Sequence, residues 1–192
     1  MAIRKRSAGA FEGLMAQSGE IIENPITHDR VIFRATARDT NGSLLEFDDF
    51  LLPGYISPPE HVHPRQEERF EVMSGSLGIR IGRRETVLRA GERVAVPPGT
   101  PHTIRNAAEG ETHLRVEFQP ALQTEAFFKS IFALARDGKT DRQGKPSLLQ
   151  FAAGASGCGM YVTRPPISVQ KALFAVLGPL ARALGYRPFY GS

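Results

Sequence analysis

His61, His63, Glu68 and His102 are the residues of this chain whose types and spacing could do chemistry together. Three imidazoles and a carboxylate make a full donor set for one divalent ion. His61 and His63 stand two apart, and successive side chains of an extended strand alternate, so both can point to one face. Residues 61–68 read His-Val-His-Pro-Arg-Gln-Glu-Glu, and the run continues through Phe70 and Val72 to Ser74-Gly75. The fourth donor comes from a distant segment, Gly91 to Asn106. There Pro97-Pro98-Gly99 reverses the chain, and His102 opens a strand with Ile104 and Asn106 on its own face by period two. The set suits one divalent transition metal, Fe, Mn, Ni, Co, Cu or Zn, and does not choose among them.

These two segments resemble the paired motifs of the cupin superfamily: Gly, His-x-His, Glu and Gly, followed by Gly, Pro-x-Gly, His and Asn. The second motif matches at Gly91, Pro97, Gly99, His102 and Asn106. The first matches at His61, His63, Glu68 and Gly75, while Gly54 lies one residue further from His61 than the usual pattern, with Pro58-Pro59 in the extra length. The resemblance covers residues 40 to 120 and implies a single-domain cupin of the small-barrel type. It also decides between adjacent acids. Glu68, not Glu67, has the family's spacing to Gly75, and Phe70 and Val72 share its face by period two, which leaves Glu67, Arg69 and Glu71 toward solvent. His28 follows Pro25 in a turn, and His113 alternates out of phase with Leu114, Val116 and Phe118; both read as solvated residues and not as ligands.

The elements needed to position the donors are short strands. Val31, Phe33 and Ala35 alternate with polar neighbours, Asn41-Gly42 turns the chain, and residues 43–52 return. Leu77, Ile79 and Ile81 alternate likewise, Gly82-Arg83 turns, residues 86–89 return, and residues 112–118 close the series. Many short antiparallel strands between Gly and Pro turns predict an all-β double-stranded β-helix, the jelly-roll cupin barrel. Past Pro120 the period changes. Phe127, Phe128, Ile131, Phe132, Leu134 and Ala135 predict a helix from Thr124, as N-cap, to Asp137, with Gly138 as its stop. Residues 148–159, rich in Ala and Gly, carry no clear assignment. A second helix starts at Pro166 or Ser168 and runs through Leu184, with Gly178-Pro179 expected to kink or split it. The reading is therefore a barrel domain, residues 1–120, with motifs at 54–75 and 91–106, and a helical extension, residues 121–192, packed on the barrel.

A chain of 192 residues suits one domain with a sizeable core and an appendage. The lone Cys158 excludes an internal disulfide. Arg4, Lys5 and Arg6 are followed by no apolar run of signal-peptide length, so the expected location is cytoplasmic. A net charge of +4 from scattered basic residues argues against nucleic acid as a partner. The apolar run between Lys171 and Arg182 is shorter than the roughly 20 residues of a membrane span. The expected partner is a small-molecule substrate, with room for a homodimer.

Four protein donors leave one or two coordination positions open toward the barrel interior, where a substrate enolate, catecholate or carboxylate could bind beside Glu68 as the acid–base residue. The resemblance raises the dioxygenase class above the others. A non-oxidative isomerase, cyclase or lyase uses the same donors, and a small-molecule-binding cupin without turnover uses the same barrel, because fold alone does not fix chemistry. The inward face built from Phe70, Val72, Ile79, Ile104 and Phe118 predicts an apolar or aromatic substrate; Tyr55, Gln66 and Arg105 are placed to reach the mouth.

Overall fold

The computed structural model of the chain describes residues 15–55 and 59–191. Arg4, Lys5, Arg6, Pro58 and the Cys158 side chain lie outside that description. Among the described residues, eleven strands pair into two antiparallel sheets. The first, in spatial order, is β1 (Ile21–Glu23), β2 (Arg30–Ala35), β3 (Leu45–Leu51), β10 (Thr112–Gln119), β5 (Glu67–Ser74) and β8 (Arg93–Val96). The second is β11 (Tyr161–Val162), β4 (His61–Val62), β9 (His102–Asn106), β6 (Ser76–Ile81) and β7 (Arg84–Arg89). This is the predicted jelly roll.

Period two sets the core. β10 alternates without exception, burying Thr112, Leu114, Val116 and Phe118, and it pairs with β3 on one side and β5 on the other. The aromatic part of the core runs from Phe33 through Phe47 to Phe118, with ring centroids 6.2 and 6.1 Å apart. Turn chemistry closes the strands: Asn41 and Gly42 have φ of 52° and 80°, a left-handed pair that Asn and Gly tolerate best.

Three helices follow: α1 (Thr124–Arg136), α2 (Leu148–Cys158) and α3 (Ile167–Ala183). Phe128 of α1 meets Phe47 edge-on at 5.2 Å, so this helix packs on the core next to Phe118. Gln123, not Thr124, is the N-cap of α1, and no side chain caps it; the Thr124 hydroxyl instead accepts a hydrogen bond from Gln66 Nε2 at 2.7 Å. α2 was invisible to periodicity, yet its start is a capping signal, because the Ser147 hydroxyl accepts from the Gln150 N–H at 3.2 Å. α3 runs unbroken through Pro179. Of the expected kink or split, the split is absent: Ala175, whose carbonyl loses its partner, and Pro179 both lie on the exposed side, where that carbonyl is open to solvent.

The extension is not purely helical. Tyr161 and Val162 pair with Val62 and His61, so β11 becomes the edge strand beside the His-x-His segment. α3 leaves Val169, Leu173, Val176, Leu180 and Leu184 exposed while Gln170, Gly178 and Ala181 are buried. Among the described residues no helix is long and apolar enough to cross a membrane.

Candidate metal centre

β4 is only two residues long, and three neighbours hold it. His61 stands opposite His102 in β9, Val162 of β11 pairs with His61 from the other side, and the Gly99 N–H donates to the His63 carbonyl at 2.9 Å. Gly99, with φ of 77°, is where the Pro-Pro-Gly turn brings that N–H round. Glu68 enters from the first sheet, opposite Phe118 of β10 and Val96 of β8.

Together these elements bring His61, His63, Glu68 and His102 to one place, each buried, with one donor atom apiece and all donor atoms within 4.8 Å of one another. His102 Nε2 lies 2.7 Å from Glu68 Oε2, and His63 Nε2 lies 3.4 Å from the same oxygen. The Nδ1 atoms of His61 and His102 sit 3.3 and 3.2 Å from the carbonyls of Pro59 and Thr100. An Nδ1–H donating to those carbonyls turns each Nε2 toward the group, with its lone pair free in the neutral His61 and, in His102, free once the proton shared with Glu68 is displaced. Donor chemistry, convergence and tautomer all fit a divalent ion.

His63 is oriented by a residue whose part sequence reasoning missed. Gln66 is 1% exposed, and its Nε2 lies within hydrogen-bonding distance of the carbonyls of Pro120 and Ala121 and the Thr124 hydroxyl, at 3.0, 3.1 and 2.7 Å. With the amide nitrogen so committed, Oε1 is turned away toward His63 and Gly159, and Gln66 favours a proton on that imidazole. Both Gln66 Oε1 and His63 Nδ1 are buried without a hydrogen bond of good geometry, so a small shift would pair them.

Burial dominates the electrostatics. It pushes His61 down to about 4, helped by the neighbouring His102, and lowers His63 as well. His102 is also buried, but the hydrogen bond and charge of Glu68 outweigh desolvation and raise it. Burial alone would raise Glu68; the His102 hydrogen bond and the imidazoles around it hold it below the usual carboxylate range. Burial thus favours the neutral imidazole at His61 and His63, while the Glu68 contact favours a proton on His102.

Glu67 is on the outer face and pairs with Arg69 at 2.5 Å, while Arg69 also meets Glu117 at 3.5 Å. His28 is exposed at φ 58°. His113 points outward as expected but is not simply solvated. It stacks on Phe50 at 4.3 Å with Nε2 3.2 Å from Asp48 Oδ1, because the outer face of β3 carries a buried acid that draws in His113, Arg34 and Arg115. Arg105 lies on the outer face near Glu85, away from the donors.

The five residues of the apolar wall, Phe70, Val72, Ile79, Ile104 and Phe118, are all in the buried core. Phe118 meets His63 edge-on at 5.3 Å and Phe70 meets His102 at 6.5 Å. Ile104 and Ile79 face each other across β9 and β6, and Val72 lies further along β5. A groove of about 760 Å³ lies elsewhere, between β1 and α1, with Glu23, Arg30, Lys129 and Arg136 in its walls and none of the four donors.

A jelly-roll barrel with a three-histidine, one-glutamate group inside is the architecture of a metal cupin. Residues 50–117, which include all four donors, match the Cupin domain family, so this segment is a cupin domain. It is 28% identical over 151 residues to the probable oxidoreductase virH of Hypocrea virens, covering 71% of this chain and 68% of that protein. It is 28% identical over 148 residues to an oxidoreductase of Arthrobotrys oligospora, covering 69% of this chain and 58% of that protein. The RmlC-like cupin of Shewanella frigidimarina is 20% identical, with a TM-score of 0.46 over 56% of this chain and 95% of that one.

Proposed function

We propose that the protein is a metal-dependent oxygenase, dioxygenase-like, acting on a small organic molecule held inside the barrel. The observation that carries this reading is the buried convergence of His61, His63, Glu68 and His102. A divalent ion held there would supply Lewis acidity and a coordination seat for a substrate oxygen. The chain's own residues do the rest. The Pro59 and Thr100 carbonyls fix the imidazoles so that their Nε2 atoms face inward. Glu68 Oε2, beside His102 Nε2, is the base that accepts a substrate proton, and its low affinity for protons in the resting state keeps it ionised for that role. Phe70, Val72, Ile79, Ile104 and Phe118 form the apolar wall that excludes water. The extension, residues 121–192, supports the site through β11 and the Gln66 contacts.

The two fungal relatives are named as oxidoreductases, which agrees with this reading. The test is oxygen consumption after anaerobic loading with ferrous iron, with small enolates, diketones and phenols as substrates. Metal-dependent turnover without oxygen loss would move the protein to the isomerase, cyclase or lyase class.

A further inference from the structure

Asp49 breaks an otherwise apolar row inside the barrel. β3 turns Leu45, Phe47, Asp49 and Leu51 to the buried face, and Asp49 is 7% exposed with an Oδ1 that has no hydrogen-bond partner. It stands opposite Val31 on β2 and Leu114 on β10, so its cross-strand neighbours are aliphatic. The charged groups that bear on it are Asp29 and Glu68, both acids. Asp29, itself 5% exposed, precedes β2 at the level of Leu51, diagonal to Asp49. Tyr55 packs against the same core and feels the charge of Asp49 before that of Asp29 or Glu68.

A structural role does not account for this side chain. A buried acid with an unmet oxygen and, among the described residues, no cation beside it weakens the fold, and an aliphatic residue of similar volume would suit the row better. Nor does Asp49 belong to the donor group. Phe118 is opposite Glu68, whereas Leu114 is opposite Asp49, four residues further along β10 and so about 13 Å of strand away.

Burial, with the two neighbouring acids, raises Asp49 well above the usual carboxylate range. That favours the protonated acid, which is a hydrogen-bond donor where an ionised carboxylate is only an acceptor. Tyr55, raised by burial and the same acids, keeps its phenolic proton and is a donor as well.

We propose that Asp49, with Tyr55 beside it, is a second recognition site inside the barrel that donates a hydrogen bond to a carbonyl or phenolate oxygen of the bound molecule. The proposal rests on the oxygenase reading for the placement of the molecule's other end. It narrows the substrate class to a small molecule with two oxygens, one for the donor group and one for Asp49, in place of a purely apolar substrate.

Two measurements test it. In the metal-free protein Asp49→Leu should melt higher than wild type, since it removes a buried acid held by the Phe50 backbone N–H alone, with Oδ1 unmet; a lower melting temperature would show a structural residue and overturn the proposal. In the cobalt-loaded protein, binding of 2-naphthol and 2,6-dihydroxynaphthalene is followed through the visible cobalt spectrum. Wild type should bind the diol about tenfold more tightly, the worth of one added hydrogen bond. Asp49→Leu should bind both alike, and Asp49→Asn, which keeps a donor, should retain a preference. Equal affinity in wild type, or a preference that survives in Asp49→Leu, sinks the Asp49 site alone. A cobalt spectrum that moves with neither compound sinks the oxygenase reading and the substrate class with it.

Discussion

Loading the donor group with a divalent ion should release fewer than three protons per ion between pH 5 and 6, although three imidazoles take part. The perturbation is the ion itself, which requires neutral imidazole and ionised carboxylate. His61, pushed down to about 4 by burial, is already neutral in this window, and His63 is lowered by the same cause. Glu68, held low mainly by His102, is ionised. His102, raised by its 2.7 Å contact with Glu68, still carries a proton to be displaced. With His61 already neutral, apparent affinity rises by less than the roughly thousandfold per pH unit that three unperturbed histidines would give, each proton counting about tenfold or roughly 1.4 kcal/mol. Zinc competition against a chelator at pH 5.0, 5.5 and 6.0 reads the slope, and calorimetry in buffers of different ionisation enthalpy counts the protons directly. A release of three protons would refute the electrostatic account of the site.

The same shifts set the acid stability of the metal-free fold. His61 is depressed in the folded state, so its contribution is fully present above the unfolded value near 6.5 and is lost as pH falls toward about 4. At pH 5 the loss is about 2 kcal/mol from this residue alone. His102 works in the opposite sense, stabilising at low pH and ceasing to do so as pH rises through its raised folded value. Urea unfolding at pH 7 and pH 5 should therefore show a smaller loss for His61→Asn than for wild type.

Glu68→Gln should weaken zinc binding by at least tenfold, while Glu67→Gln, which breaks only an outer pair with Arg69, should leave it within threefold in the same chelator assay; the reverse order would show that the neighbouring acid is the ligand. Gly159→Ala should lower both stability and zinc affinity, because the residue has φ of 65° and an added Cβ would stand 2.9 Å from Gln66 Oε1, forcing the side chain that faces His63 to move. On α3, Ala181→Asp, at a fully buried position, should cost more than 2 kcal/mol in urea unfolding, whereas Val176→Asp, 70% exposed, should stay within about 0.5 kcal/mol.

The donors were legible because each carries its chemistry in its side chain and its face in a period of two, and the paired motifs gave the long-range step from His63 to His102 that periodicity cannot. Asp49 was legible in principle: Leu45, Phe47 and Leu51 put it on the inward face, but residues 43–52 were read only as a returning strand. Its outward neighbour Asp48 is equally buried, held by Arg34 and His113, and only the sheet register separates the two roles. Gln66 was not legible as a partner of His63. Its acceptors lie 54 to 58 residues away, and nothing in the local sequence fixes which way its amide turns. β11 was lost for a simpler reason, since two residues are too few for any alternation to register.

That two-residue strand changes what the extension is for. A segment as short as β4 cannot hold its own geometry, since it has few ladder bonds, and both His61 and His63 depend on it. β9 secures one side and the Gly99 N–H secures the His63 carbonyl, but the other side is open unless Tyr161 and Val162 pair there. Thr163 N–H adds a bond to the Glu60 carbonyl at 3.0 Å, just before His61. From the first sheet, Gln66 ties the segment between His63 and Glu68 to the start of α1. Residues after Pro120 therefore brace the donor strand at two points, through β11 and through the carbonyls and hydroxyl that Gln66 binds. Removing them takes away the edge strand beside His61 as well as the helix packed on Phe47, so the loss should fall on metal affinity and on the core together.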